Sequence, residues 1–235
     1  ETREMSGRLR RAHYHRFELP LISAPVQFPS RSVPLDPYAL GLLLGDGCLT
    51  GTTTPSFTTS DTELAHALGE MLEGIQIKRK SEIDYVLRNE SGSRGGVIVA
   101  NPVTTVLRNL DLCGSRSSTK FVPELYLYNS ADIRLAVLQG LLDTDGGPVI
   151  QAGRTCRIHY STTSVRLRDD VIFLVRSLGG IVYSRTRLAA GRAPGRAKGR
   201  AVRHVSDAYI LDIRLPESLQ PFRLSRKRET YRQNG

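Results

Sequence analysis

The sequence predicts an α+β protein built as two similar halves, and three observations carry that prediction. ALGLLLGDG at 39–47 and LQGLLDTDG at 138–146 are both apolar helical runs ending in Asp-Gly, and their aspartates, Asp46 and Asp145, stand 99 residues apart. The flanks correspond as well: TTSDTELAHAL (58–68) and LEGIQIKRK (72–80) follow the first run, TTSVRLRDDVIFL (162–174) and LGGIVYSRTR (178–187) the second. Each half therefore reads as a helix, a strand ending in Thr-Thr-Ser, an amphipathic helix, a glycine stop and a strand starting at Ile75 or Ile181. One such run alone reads as a core helix with a glycine stop; two at a fixed offset with matching flanks are an internal duplication.

The elements follow in order. Residues 1–34 place Arg8, Arg10, Arg11 and Arg16 before Pro20, Pro25, Pro29 and Pro34 without a periodic apolar face, which predicts an extended basic arm. A first subdomain, 35–130, starts with its apolar helix and continues with a strand near 52–60 and a helix from Asp61, the expected N-cap, to Glu73. Strands at 75–79, 82–89 and 96–100 come next, then a short helix over 102–111 ending near Gly114. A second subdomain, 131–215, repeats the order: helix 131–143, strand 155–163, helix 165–178, strands 181–188 and 202–214. FRLSRKRETY (222–231) gives the remaining tail, 216–235, a helical character. From Arg185 to Arg203 inclusive stand seven basic residues and no acid, the pattern of a hairpin tip that is ordered by a polyanion.

With 235 residues and 40% hydrophobic content the chain can build a sizeable core. Its net charge of +10 is one-sided: residues 1–150 hold 15 Lys/Arg against 17 Asp/Glu, residues 151–235 hold 18 against 6. Such a surface is the footprint of a nucleic-acid partner. No apolar span reaches 18 residues and no secretory segment is visible, so the expectation is an intracellular protein with no membrane contact. Cys48, Cys113 and Cys156 are few, odd in number and far apart, which fits reduced thiols and no zinc pattern. His13 and His15 lie in a basic segment and read as surface or phosphate-contacting groups, not ligands.

The chemistry concentrates at the two Asp-Gly ends. A carboxylate in the last turn of a helix faces the negative end of the dipole, which costs stability unless a cation or donor offsets it, so Asp46 and Asp145 read as metal ligands. Small residues four apart, Gly41 with Gly45 and Gly140 with Thr144, allow the two helices to pack with close backbones and bring both aspartates to one point. A curved antiparallel sheet from each half then forms a saddle, and strands in the major groove read bases through alternate Arg and Lys side chains. The candidates are Lys78, Lys80 and Arg88 in the first half and Arg157, Arg185, Arg187 and Arg203 in the second, with Arg192, Arg196, Lys198 and Arg200 of the hairpin as phosphate contacts.

This pair of motifs resembles the LAGLIDADG homing endonucleases of the single-chain, two-motif type. PLDPYALGLLLGDG (34–47) is most similar to the version in intein endonuclease domains, and STKFVPELY (118–126), with Lys120 and Pro123, matches the lysine-proline block between their motifs. The sixth motif position departs between the copies, Leu44 in one and Asp143 in the other; it is not the family's metal ligand. The resemblance implies a site-specific double-strand DNA endonuclease, functional as a monomer, that cuts both strands across the minor groove of a long asymmetric target. It implies Mg²⁺ held by Asp46 and Asp145 with backbone carbonyls, those of Gly45 and Thr144, waters and phosphate oxygens; Mn²⁺ substitutes, and Ca²⁺ supports binding without turnover. Lys120 is implied as a catalytic lysine. Its second-half counterpart is expected at Lys227 in the tail, with Lys198 as rival, disfavoured by its place at a hairpin tip.

Two rivals stand beside this reading. The scaffold could serve as an inactive nucleic-acid-binding module, a maturase or regulator, against which both aspartates speak. A complete self-splicing intein would need a nucleophile at residue 1 and a terminal His-Asn, whereas the residues are Glu1 and Gln233-Asn234-Gly235. The expectation is the endonuclease domain of an intein without its splicing parts.

Overall fold

The computed structural model describes residues 10–11, 14–15, 20–51, 53–94, 97–151, 154–197 and 200–234. Arg8, Arg16, His13 and Lys198 lie outside them. In chain order the strands are β1 (Arg10–Arg11), β2 (Tyr14–His15), β3 (Gly47–Cys48), β4 (Ser56–Thr58), β5 (Ile75–Arg79), β6 (Asp84–Asn89), β7 (Ser93–Arg94), β8 (Val97–Ile98), β9 (Gly146–Gln151), β10 (Arg154–Thr162), β11 (Ile181–Arg187), β12 (Gly195–Ala197), β13 (Arg200–Val202) and β14 (Ala208–Arg214). The helices are α1 (Pro37–Asp46), α2 (Thr62–Met71), α3 (Pro102–Asn109), α4 (Glu124–Leu127), α5 (Ala131–Asp145), α6 (Val165–Ser177) and α7 (Ser225–Asn234).

Two four-stranded antiparallel sheets repeat one topology, β3-β4-β6-β5 and β9-β10-β14-β11. The register repeats too: Gly47 pairs with Phe57 in one, Gly146 with Tyr160 in the other. One face of each sheet is apolar and covered by helices. Leu64, Ala65 and Leu68 of α2 bury against one, Leu167, Val171, Leu174 and Val175 of α6 against the other, at about the i, i+3, i+4 spacing of an amphipathic helix.

α1 is apolar almost all round, α5 buries most of its length including the polar Arg134, Gln139 and Asp143, and the two make the most extensive contact between any two described elements. The small residues explain it. A Cβ on Gly140 would stand 2.7 Å from Leu42 N and 2.8 Å from Gly41 C, and one on Gly41 would stand 2.9 Å from Gly140 Cα, so neither position tolerates a side chain at this separation. Local signals set the start of α1: Asp36 accepts from the amides of Tyr38 and Ala39, and Pro37 fills the first helical position.

Several boundaries differ from the sequence expectation. The strand expected over 202–214 is broken, with β13 ending at Val202 and β14 starting at Ala208. The one expected at 96–100 is only β8, paired with β7 in a two-stranded ribbon. The arm is not extended throughout: β1 pairs with β2, and residues 20–34 dock on the body. Val26 N–H donates to Ser177 O at 2.8 Å, and Asn129 clamps both the N–H and C=O of Arg31 at 3.0 Å. The buried Arg134 reaches Asn129 O, Ser177 Oγ and Val26 O, with its guanidinium 5.0 Å from the Phe28 ring centre.

Candidate active site

Asp46 and Asp145 end α1 and α5 and line one cleft of about 280 Å³, with Lys120, Ser117, Ser161, Thr162 and Thr163. Burial, then repulsion from Asp145, pushes the Asp46 carboxyl up to about 6, with Lys120 and Lys227 opposing. Surrounding protein also pushes Asp145 upward against both lysines, although its side chain opens to solvent in the cleft.

Both implied lysines are buried and reach these helix ends. Lys120 Nζ donates to the carbonyls of Leu43 (3.3 Å), Gly45 (2.9 Å) and Gly47 (2.7 Å). Lys227 Nζ donates to those of Leu142 (3.0 Å), Thr144 (3.3 Å) and Gly146 (2.6 Å), each 99 residues further on, and also to Asp143 O at 2.6 Å. An ammonium at the last carbonyls satisfies orphan acceptors and meets the negative end of the dipole, which is the offset the terminal aspartates require. Burial lowers the affinity of both ammonium groups for their protons; for Lys120 the two aspartates oppose this, for Lys227 chiefly Asp143.

The sixth motif position has a structural task that the sequence did not disclose. Asp143 is 1% exposed, and its Oδ2 accepts from Tyr38 Oη (2.7 Å) and from the amides of Arg223 (2.8 Å) and Leu224 (3.0 Å). Gln139 holds the same segment through Gln220 O and Arg223 Nε. Leu44, in the first copy, is simply core.

The sheet faces turned away from the helices carry the predicted readers. Lys78 and Arg88 share that face of the first sheet, where Lys78 pairs with Val86 and Arg88 with Gln76, and Lys80 follows on the same parity. Arg79, on the other parity, donates to Ser81 O and Glu82 O. In the second sheet Arg185 and Arg187 alternate with Ser184 and Thr186 on β11 and share the parity of Tyr183, and Arg157 shares their face through the pairings with β14. Arg157 stands 3.7 Å from Asp212, so it is not an unencumbered reader. Arg203 is exposed and belongs to no strand. β12 and β13 form the basic hairpin that carries Arg196 and Arg200, with Arg192 just before it.

The family described as LAGLIDADG-like domain matches residues 132–208, which cover α5, the second sheet up to the start of β14, and α6. Residues 132–208 thus form a LAGLIDADG-like domain. Among curated relatives, the replicative DNA helicase DnaB of Synechocystis sp. is 30% identical over 148 residues, 60% of this chain and 17% of the helicase. A DNA gyrase subunit of Mycobacterium gordonae is 35% identical over 80 residues, 34% of this chain and 14% of the gyrase polypeptide. The chain thus spans less than a fifth of either relative's own length. Among solved structures, a variant of I-DmoI in complex with its nicked target DNA and manganese is 18% identical, covering 77% of this chain and 88% of that one, at a TM-score of 0.45. The LAGLIDADG meganuclease I-AabMI bound to uncleaved DNA is 12% identical over 79% of each chain, at a TM-score of 0.36.

Proposed function

We propose that this LAGLIDADG protein is a site-specific, metal-dependent double-strand DNA endonuclease acting as a monomer. The observation that carries the reading is the convergence of Asp46 and Asp145 on one cleft, each at the end of a motif helix whose carbonyls are held by a buried lysine. The donor set fits a hard divalent cation in an open site. Among the described residues no group of three or more His, Cys, Asp or Glu could enclose a metal, so two carboxylates leave most of a six-oxygen shell to waters and phosphate oxygens. The carbonyls of Gly45 and Thr144 already accept an ammonium hydrogen bond, and each keeps a second lone pair for a cation. Mg²⁺, or Mn²⁺ in its place, supplies an activated water and charge neutralisation at the phosphate when bound. Lys120 and Lys227 hold the helix ends in place and contribute positive charge beside the phosphate.

The open sheet faces supply DNA contact through Lys78, Lys80, Arg88, Arg185 and Arg187, with Arg157 partly engaged by Asp212. No described helix is long and apolar enough to cross a membrane; the endonuclease reading carries with it an intracellular place of action, where a genomic target lies. Similarity to a short stretch of two unlike host proteins, a helicase and a gyrase, supports an inserted, mobile element, hence the intein endonuclease reading.

The test is incubation of the purified protein with a randomised duplex library and Mg²⁺, followed by sequencing of cut ends. Recovery of one family of long, asymmetric sites cut on both strands is the expected result. Sequence-selective binding with intact DNA would instead identify a binding module.

A further inference from the structure

The two buried lysines are held from opposite halves of the molecule. Lys120 closes the first repeat and sits on the end of α1, yet its own carbonyl accepts a 2.6 Å hydrogen bond from Ser164 Oγ. Val122, two residues on, donates its N–H to Asp170 Oδ2 at 2.7 Å. Ser164 is the N-cap of α6 and Asp170 lies within that helix, both in the second repeat. Lys227 sits on the end of α5 in the second repeat. Its neighbour Arg226 donates through Nε and Nη2 to the Asp61 carboxylate, both at 2.7 Å, and Ser225 donates through its N–H (3.0 Å) and hydroxyl (2.8 Å) to Glu63 Oε1. Asp61 occupies the N-cap position of α2 and Glu63 its first turn, both in the first repeat.

The arrangement is reciprocal: the residue at the N-cap of each amphipathic helix grips the lysine segment of the other repeat. Asp61 shows that the grip competes with local structure. By position it is the N-cap the sequence predicts, but its carboxylate makes no cap hydrogen bond and is turned to Arg226, forgoing the stabilisation of the cap itself. Ser164 does both, accepting from Leu167 N–H at 3.1 Å while donating to Lys120 O. The start of α7 is fixed in the same two-sided way. Its orphan amides at Leu224 and Ser225 are taken by Asp143 from α5 and Glu63 from α2, one carboxylate from each repeat, and Lys227 lies in the turn that follows.

We infer that Asp61 and Ser164, with Glu63 and Asp170 beside them, are positioning residues: each repeat sets the lysine that holds the aspartate-bearing helix end of the other. The consequence for catalysis rests on the endonuclease reading above. Loosening one grip then slows the cut made at one helix end before the other, and the enzyme becomes a nickase whose strand preference depends on which grip was loosened.

The experiment has two arms. In the first, amide hydrogen exchange is followed in the free protein, which needs no activity. D61N, which weakens an exposed bidentate ion pair, should speed exchange at Asp145 and Gly146 about fivefold and leave Asp46 and Gly47 unchanged, and D170N should do the reverse. R226A and S164A repeat the comparison should either carboxylate variant fold poorly. Variants that loosen both helix ends alike, or neither, overturn the inference whatever the activity. In the second arm, a cleaved duplex labelled on each strand is incubated with D61N and D170N. Nicked intermediates on opposite strands are expected; nicks on the same strand, or uniform slowing of both cuts, overturn it. A wild-type protein that leaves all DNA intact counts against the endonuclease reading alone, and the exchange arm still decides the positioning roles.

Discussion

Tyr38 donates a 2.7 Å hydrogen bond to Asp143, joining the two motif helices at the position where the repeats differ. The same carboxylate oxygen takes the amides of Arg223 and Leu224, and the Arg223 guanidinium lies 4.5 Å from the centre of the Tyr38 ring. One phenol therefore ties the first repeat to the carboxylate that anchors the segment leading to Lys227. Lys120 needs no such bolt, because the chain continues past it into α4 and α5.

Tyr38→Phe should destabilise the fold by about 1–3 kcal/mol, because a buried carboxylate loses a donor. Burial raises the Asp143 pKa, with the Tyr38 hydrogen bond opposing. The folded state therefore favours the protonated carboxyl, and the burial penalty of the charge appears only as pH rises above the ordinary carboxylate range. The missing donor served the ionised form, so Tyr38→Phe should cost more near pH 7 than near pH 4. Urea unfolding of both proteins at the two pH values measures this; an equal cost at both would show that Asp143 does not ionise in the fold.

Asp46→Asn and Asp145→Asn should each abolish double-strand cleavage while leaving DNA affinity within a few fold, since phosphate contacts from the sheets remain. Ca²⁺ should support binding without turnover, being larger and less strict in geometry than Mg²⁺. Cleavage assays beside equilibrium binding check both. Normal cutting by either variant would remove that aspartate from the reaction.

Metal affinity should follow the Asp46 proton. With its carboxyl pushed up to about 6 by burial and by Asp145, the group must lose a proton to become a ligand below that pH. Mn²⁺ affinity should be nearly flat above pH 7 and fall by up to about tenfold per pH unit well below 6. Calorimetric titration at several pH values reads the slope, and Asp46→Asn should make it shallower, leaving only the share that Asp145, itself pushed upward by burial, contributes.

Gly140→Ala should destabilise the protein by at least about 1–3 kcal/mol, because the new methyl meets backbone on α1, which cannot turn aside as a side chain would. Gly147→Ala is the control: a Cβ there meets nothing within 4 Å. Thermal unfolding of the pair tests whether close helix approach, and not glycine content, is what the motif preserves.

The parts of this molecule visible in its sequence are those with a period. The two Asp-Gly helices, the 3.6-residue stripes of α2 and α6 and the alternation on β5 all announce themselves within a dozen residues, and β5 spans the five residues expected. β3 and β9 escaped because they start at the motif glycines and carry no alternation of their own, and α4 because four residues set no period. Asp61 is the N-cap expected by position, but the use of its side chain was out of view for a related reason. Its N-cap position is a local signal, whereas the claim of Arg226 on its side chain comes from 165 residues away. Asp143 could be seen as a departure from the motif, but its partners at Tyr38, Arg223 and Leu224 exist only once both helices and the tail are assembled.

The last prediction concerns the charge asymmetry. Residues 151–235 hold all the positive excess, and two groups of it bear on DNA contact: Arg185 and Arg187 on the open face of β11, and Arg192, Arg196 and Arg200 in and around the basic hairpin, with Lys198, outside the described residues, next to them in sequence. Counterion release scales with the phosphates neutralised, so alanine at the four hairpin positions should weaken binding to all sequences and flatten the salt dependence by up to about 0.9 log units for each phosphate no longer neutralised. Alanine at Lys78, Arg79 and Lys80 should matter less, because Arg79 is on the far parity of its strand and spends its guanidinium on Ser81 O and Glu82 O. Alanine at Arg185 and Arg187 should change which sequences are preferred, since strand residues that alternate on an open sheet face can reach base edges. Equilibrium binding to a selected site and to random duplex, across a range of salt, separates the three sets. A hairpin variant that keeps the wild-type slope, beside a 78–80 variant that loses it, would move the electrostatic anchor to the first half.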